Sequence, residues 1–321
     1  MSYAGPEFEP PPARRPRRRL IAVVGGALVV GALAGWLVVQ GSGPGSDGGG
    51  SAASGTATSS GTASASSTPS APSAPSSSSS GSDDGKPAPA PTTAASSGPL
   101  KGKVVVIDPG HNPENFQHTA EINKKVDIGT GWKECDTTGT STDDGYAEAE
   151  FTLDVAHRLR TLLERQGAEV KLTQDADRPF GPCIDERARI GNEAKADAVV
   201  SIHADGSGAG NRGFHVILPG EVRAGAADTR AIVGPSRELG ASIAGNFVRA
   251  TGSAPSNYVG DGTGLVTRED LGGLNLSTVP KVFIECGNMR DTKDAALLTS
   301  GAWRQKAARG ISDGIVSFLR G

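Results

Sequence analysis

The pattern of apolar and polar positions divides this chain into three kinds of sequence. Residues 20–39, LIAVVGGALVVGALAGWLVV, contain no charged side chain. From Gly41 to about Pro99, Ser, Gly, Ala, Thr and Pro dominate and large apolar side chains are almost absent. Beyond residue 100, short apolar runs alternate with helical stripes. The run KVVVI at 103–107 is rich in β-branched residues and is followed by Asp-Pro-Gly, so it predicts a buried strand ending in a turn. Phe151, Val155, Leu159, Leu162 and Leu163 recur at helical spacing and predict a helix over 149–166, stopped by Gly167. Further strands are predicted at 168–173, 196–205, 213–218 and 281–286, and further helices over 184–195, 236–250 and 301–319. The 213–218 segment follows 196–205 closely enough to be its sheet neighbour. This alternation predicts an α/β domain with one twisted, mostly parallel sheet and helices on both faces. Residues 112–145 are polar, Gly- and Thr-rich and without a period, so they read as a long loop beside any site that follows the first strand.

The first apolar run has the length a helix needs to cross a hydrocarbon core roughly 30 Å thick. Arg14, Arg15, Arg17, Arg18 and Arg19 precede it, and no basic residue follows until Lys86. That asymmetry places the N-terminus in the cytoplasm and the rest outside. The expected division is a cytoplasmic Arg-rich tail at 1–19, a transmembrane signal-anchor at 20–40, a disordered linker at 41–100 and one folded domain at 101–321. The linker lacks the apolar surface needed to offset its ordering entropy, so its use is reach away from the bilayer. The alternative is cleavage near Ala32-Leu33-Ala34, which would release a secreted protein.

Charge and composition narrow the function. A formal net charge of −3 and an aromatic content of 4% offer neither a basic field nor a stacking surface for nucleic acid. Of the three cysteines, Cys135 and Cys183 lie in loop-like surroundings, where an oxidising exterior favours pairing. Cys286 follows a buried strand and is expected to be free.

In open α/β sheets, ligands bind beyond the carboxyl ends of the strands. Asp108, Pro109, Gly110 and His111 follow the first strand, His203 closes the third, Glu285 closes the last, and Glu148 opens the first long helix. Two histidines and a carboxylate are a common zinc set that leaves a fourth position for water, with Glu285 available as a base. No short motif joins these residues, so spacing alone leaves a structural role open for each histidine. His215 alternates with apolar residues in a strand near this edge, and Arg268 and Asn275 lie in the loop before the last strand, where substrate grooves form. All three are candidate substrate contacts. His118 reads as solvated, His157 as a surface residue, and Asp108 as a group that holds the turn or orients a ligand histidine.

Four ordered blocks carry a resemblance: VVVIDPGHN (104–112), GYAEAEFTLDVAHRLRTLLERQGAEVKLTQ (145–174), RARIGNEAKADAVVSIHAD (187–205) and VPKVFIECGNMRD (279–291). Together they resemble the type-3 N-acetylmuramoyl-L-alanine amidases, over essentially all of residues 101–320. The resemblance implies a Zn2+ site of His111, Glu148 and His203 and a catalytic Glu285. Glu148 rather than Glu150 matches the family ligand, because Leu153, Ala156 and Leu159 then fall on the family's apolar helix positions. It also implies a peptidoglycan or muropeptide substrate, cut between N-acetylmuramic acid and L-alanine. The 112–145 insertion resembles that of actinobacterial, secreted members. Two departures stand out. Asn112 occupies a usual glycine, where asparagine tolerates a left-handed turn, and Cys286-Gly287-Asn288 follows the catalytic position. A monomer held to the membrane by its N-terminal helix is the default expectation. The rival readings are a domain that binds peptidoglycan without cutting it, and a peptidase or deacetylase on the same scaffold.

Overall fold

The computed structural model describes residues 98–321. The expected cytoplasmic tail and membrane span, and nearly all of the linker, lie outside the described residues. Among the described residues no helix is long and apolar enough to cross a membrane.

Six strands form one sheet, five of them at the segments the pattern predicts. Its strands are β1 (Val104–Pro109), β2 (Glu169–Leu172), β3 (Ala198–Asp205), β4 (His215–Pro219), β5 (Leu265–Arg268) and β6 (Lys281–Asn288). Their order across the sheet is β2-β1-β3-β6-β4-β5. The first four in that order run parallel, β4 is antiparallel to β6, and β5 is parallel to β4. The sheet is therefore mixed but mostly parallel. The expected pairing of 213–218 with 196–205 is incorrect, because β6 inserts between them. In the run Val282 to Ile284 the two aliphatic residues are fully buried and Phe283 is half-buried, which suits the interior place.

Alternation along the strands sorts side chains to two faces. Val105, Ile107, Val200, Ile202, Val282 and Ile284 join one continuous core. Against them pack three long helices: α1 (Glu148–Arg165), α3 (Val233–Thr251) and α5 (Gly301–Arg320). Phe151, Leu159, Ile243, Phe247 and Ile311 supply the helical side of that core, each fully buried. Burying a side chain of this size contributes about 1.5–3 kcal/mol. The opposite face carries Val106, Val199, Asp108, Ser201, His203 and Glu285, and is covered only in part by α2 (Ile184–Glu193). A two-turn helix, α4 (Thr292–Leu298), absent from the pattern reading, is capped by Asp291, which accepts from the backbone of Lys293 and Asp294.

The 112–145 stretch is not structureless. It contains a helical turn at Thr119–Ile122 and a hairpin of Lys125–Asp127 with Trp132–Glu134. A disulfide joins Cys135 to Cys183, the residue immediately before the first turn of α2. Polar composition hid this order, because the segment is held by one disulfide, by side-chain hydrogen bonds and by a few isolated apolar residues such as Ile122 and Ile128 rather than by a periodic apolar face.

Candidate active site

The site is assembled by the register of three strands and the first turn of one helix. Glu285 on β6 pairs with His203 on β3 and with His215 on β4, so these residues form one row across the sheet. One strand further, β1 ends at Pro109 and the backbone turns sharply. His111 sits in this turn with φ of 62°, the left-handed region. The left-handed residue was expected at Asn112, and the structure moves it to His111. Asn112 is instead a buried clamp: Nδ2 donates to the carbonyls of Arg178 and Gly181, and Oδ1 accepts from the backbone of Glu114.

Glu148 opens α1 and stands between the two imidazoles. Its Oε2 is 3.3 Å from His111 Nε2, and its Oε1 is 2.9 Å from His203 Nδ1. The backbone N–H groups of Thr140 and Ala204 donate to the same carboxylate. Glu150, the rejected alternative, is exposed. His111 Nδ1 lies 3.2 Å from Asp136 Oδ1 and 3.1 Å from the Thr137 carbonyl, both acceptors. Nδ1 therefore carries a proton; without a metal Nε2 is protonated too and faces Glu148, and a bound cation would take the place of that Nε2 proton. The two imidazole rings are perpendicular at 5.1 Å, and His203 stacks on Phe283 at 5.3 Å.

One ligand atom from each of His111, Glu148 and His203 lies within 4.8 Å of the others. Two glycines make this convergence possible. A Cβ at Gly110 would stand 2.3 Å from the His203 ring, and one at Gly139 would stand 2.8 Å from both Glu148 Oε2 and His111. The donor set, one carboxylate and two imidazoles in a cradle kept open by glycines, suits a divalent transition metal such as zinc.

The electrostatics agree with a site built for a cation. Burial alone would lower the pKa of His111, but the charge of Glu148 and hydrogen bonds to Asp136 and Glu148 raise it to about 10. Burial opposes ionisation of Glu148 too, yet the charge and hydrogen bonds of the two histidines hold its carboxyl well below the usual range. Glu285 moves the other way. Burial pushes it well above the usual carboxylate range, the negative Glu148 and Asp205 add to the rise, and His111 and Arg268 oppose it. Its Oε2 is buried and has no hydrogen-bond partner.

His111, Glu148, His203 and Glu285 all line one cavity of about 320 Å³, together with Thr137, Gly139 and Arg268. Arg268 ends the edge strand β5 rather than lying in a loop, and Asp270 holds its Nε and one Nη. Neither His215 nor Asn275 lines this cavity. His215 is buried, its Nδ1 has no partner, and burial lowers its pKa. Asn275 is buried in the turn Gly272–Asn275, where Nδ2 donates to the carbonyls of Ile128 and Glu269 and to Thr130 Oγ1, tying the hairpin to the loop after β5. His118 stacks on Phe180, and His157 pairs with Asp175 at the surface. Cys286 is a free, buried thiol.

Asp108 does not touch a ligand histidine. It is buried among Thr173, Ser201, Arg187 and Lys281. The group that orients His111 is Asp136, which pattern reading missed together with Thr137 and Arg187. The only sequence signal for Asp136 was its place beside a cysteine in the insertion.

Comparison with known proteins follows the same lines. A family model described as N-acetylmuramoyl-L-alanine amidase matches residues 105–317. The N-acetylmuramoyl-L-alanine amidase Rv3717 of Mycobacterium tuberculosis is 40% identical over 230 residues, which is 71% of this chain and 91% of that protein. Among solved structures, the N-acetylmuramyl-L-alanine amidase Ami1 of Mycobacterium smegmatis superposes with a TM-score of 0.63 at 40% identity, covering 68% of this chain and 98% of that one. The apo form of Ami1 from Mycobacterium abscessus gives a TM-score of 0.63 at 41% identity, covering 68% and 100%. With the family match spanning every strand of the sheet and the whole active-site row, this chain belongs to the N-acetylmuramoyl-L-alanine amidases and is a peptidoglycan amidase.

Proposed function

We propose that this amidase is zinc-dependent, with His111, Glu148 and His203 as the metal ligands and Glu285 as the proton-transferring carboxylate. The observation that carries the reading is the convergence of three ligand atoms within 4.8 Å beside a buried carboxylate oxygen that has no partner. A zinc ion held there would polarise the scissile lactyl carbonyl and lower the pKa of the attacking water.

The chain's own residues do the rest. Asp136 and the Thr137 carbonyl hold His111 in the Nδ1–H tautomer. Phe283 fixes the plane of the His203 ring by stacking. Glu285 accepts a proton from the attacking water and passes it to the departing nitrogen of L-alanine. The carbon–oxygen bond forms first, with the water's proton held on Glu285; the carbon–nitrogen bond then breaks as that proton reaches the nitrogen, so the amine leaves neutral and the acid product keeps the oxygen of the water. A raised pKa suits a carboxyl that must hold a proton between these two steps. Arg268 retains one guanidinium nitrogen outside its pair with Asp270 and presents positive charge to carboxylates of the stem peptide.

The catalytic domain works outside the cytoplasm, carried by the signal-anchor at 20–40 and the spacer that follows. The Arg-rich flank supports this orientation, as does the Cys135–Cys183 disulfide, which persists in oxidising compartments. Sequencing the N-terminus of protein recovered from membranes tests the anchor: an intact start is expected, and a start near Gly35 would indicate a secreted form.

The chemistry is tested by incubating the purified full-length chain with muropeptides and identifying products by mass. Stem peptides beginning at L-alanine are expected, lost with a chelator and restored by zinc. Cleavage indifferent to chelation would contradict the zinc reading.

A further inference from the structure

Four charges are buried between the active-site face of the sheet, α2 and the 112–145 segment. Arg187, Asp108, Asp136 and Lys281 are each at most 5% exposed. Arg187 lies on α2, belongs to no strand end, and touches none of the three ligand side chains. Yet every one of its N–H groups is engaged. Nε donates to the Pro182 carbonyl, and Nη1 donates to Asp108 Oδ1 and to the Pro109 carbonyl. Nη2 donates to the His111 carbonyl at 3.0 Å and to Asp136 Oδ2 at 2.9 Å.

Three of these five acceptors, the carbonyls of Pro109 and His111 and the Asp136 carboxylate, belong to the surroundings of His111. The carbonyls of Pro109 and His111 flank the turn that puts His111 into the left-handed region, which an L-residue other than glycine occupies only when its surroundings impose it. The remaining carbonyl of the turn, that of Gly110, accepts from Thr152. Asp136 receives Arg187 on one oxygen and faces His111 Nδ1 with the other. A single guanidinium thus holds the backbone of His111 on one side and the carboxylate that orients its ring on the other.

We propose that Arg187 is the positioning residue of the metal centre, acting through the 109–111 turn and through Asp136. Lysine cannot replace it, because an ammonium offers three donors from one point and cannot span five acceptors in a plane. The structural alternative is that Arg187 only neutralises two buried carboxylates. Arg187→Lys separates the two, since it keeps the charge and removes the fork.

The inference rests on the zinc reading, and the experiment keeps the two apart. The zinc affinity of the purified full-length chain is measured by competition with a chromophoric chelator, alongside thermal melting. A wild-type chain that binds no zinc would overturn the zinc reading itself. With zinc bound by the wild type, Arg187→Lys is expected to weaken affinity by about 10–100-fold, the usual effect of losing a group that orients a ligand. It should lower kcat with KM largely unchanged. Thr173→Val removes a hydrogen bond to the same Asp108 without touching the turn, and should keep wild-type zinc affinity. Wild-type affinity in a folded Arg187→Lys protein, or an equal loss in Thr173→Val, would overturn the proposal. If Arg187→Lys does not fold, Asp136→Asn becomes the deciding variant. It keeps the side-chain shape but gives His111 Nδ1 and Arg187 a poorer partner, so weakened zinc binding is expected and undiminished binding would overturn the proposal.

Discussion

The two faces of the sheet are made by alternate residues of the same strands, and they differ in almost every physical respect. Val105, Ile107, Val200, Ile202, Val282 and Ile284 point to a face sealed by three long helices. Their neighbours in sequence, Asp108, Ser201, His203, Lys281 and Glu285, point to a face that α2 covers only in part. The strand residues of the first face are apolar and contribute stability chiefly through buried area. The second keeps buried charges in place by pairing: Arg187 and Lys281 lie against Asp108, and Arg187 reaches Asp136 as well. Such pairs add little net stability, because desolvation offsets their attraction. What they provide is position. The comparison teaches that the parallel sheet separates holding from reacting at single-residue resolution, so mutations on the two faces should differ in kind.

The largest effect is expected on the reactive face. His203→Ala should abolish zinc binding and lower amidase activity on the order of 10³-fold or more while the fold persists, since the helical core is untouched. Zinc analysis and circular dichroism on one preparation check both halves, and an unfolded protein would mean that the faces are not separable. Next comes the helical face. Phe247→Ala, at a fully buried position, should cost about 3–5 kcal/mol of stability in denaturant unfolding and leave the zinc site's affinity intact.

The disulfide links the two behaviours, because it ties the insertion that carries Asp136 to α2. Replacing Cys135 and Cys183 with serine should cost about 2–4 kcal/mol, on a chain-entropy account of a loop spanning 48 residues. The midpoint of unfolding should then become indifferent to reductant, and a midpoint that still moves with reductant would assign the effect elsewhere.

The last effect is a pH dependence confined to the zinc-free protein. The pKa of His111 is raised to about 10 in the fold, against an ordinary value of 6.5. The folded state therefore binds this proton more tightly than the unfolded chain. The resulting stability is complete below 6.5 and is lost as pH rises through about 10. Denaturant titrations of chelated protein should show a decline between pH 7 and 10 that His111→Gln removes. A flat profile in the chelated wild type would show that the imidazole is not held as a cation between Glu148 and Asp136.

Much of this was legible in the chain, for reasons that follow from periodicity. His111, His203 and Glu285 each stand at the end of a short apolar run, and a parallel sheet collects such ends at one side. Glu148 was singled out over Glu150 by the family resemblance, in which Leu153, Ala156 and Leu159 fall on the family's apolar helix positions. The misreadings share a cause as well. Strand order depends on contacts far apart in sequence, so the closeness of 196–205 and 213–218 misled, and β6 lies between them. The edge strand β5 has four residues, two of them exposed, and leaves too faint a pattern to find. Asn275 resembled a groove residue because a polar amide in a Gly-rich turn reads alike whether it faces substrate or clamps a backbone. Arg187 and Asp136 were invisible for the opposite reason: a charged residue on a helix or in a loop is usually solvated, and only the fold shows these two buried against each other.

The central claim is that a metal held by His111, Glu148 and His203 works with a proton carried by Glu285. Glu285→Gln tests it most directly, because the amide keeps the shape, leaves the three ligands in place and cannot accept the proton. Zinc content and muropeptide turnover are measured on the same zinc-loaded sample, beside the wild type. The account predicts unchanged zinc content and a loss of kcat on the order of 10²–10⁴-fold. Turnover near the wild-type rate in the zinc-loaded variant would contradict it.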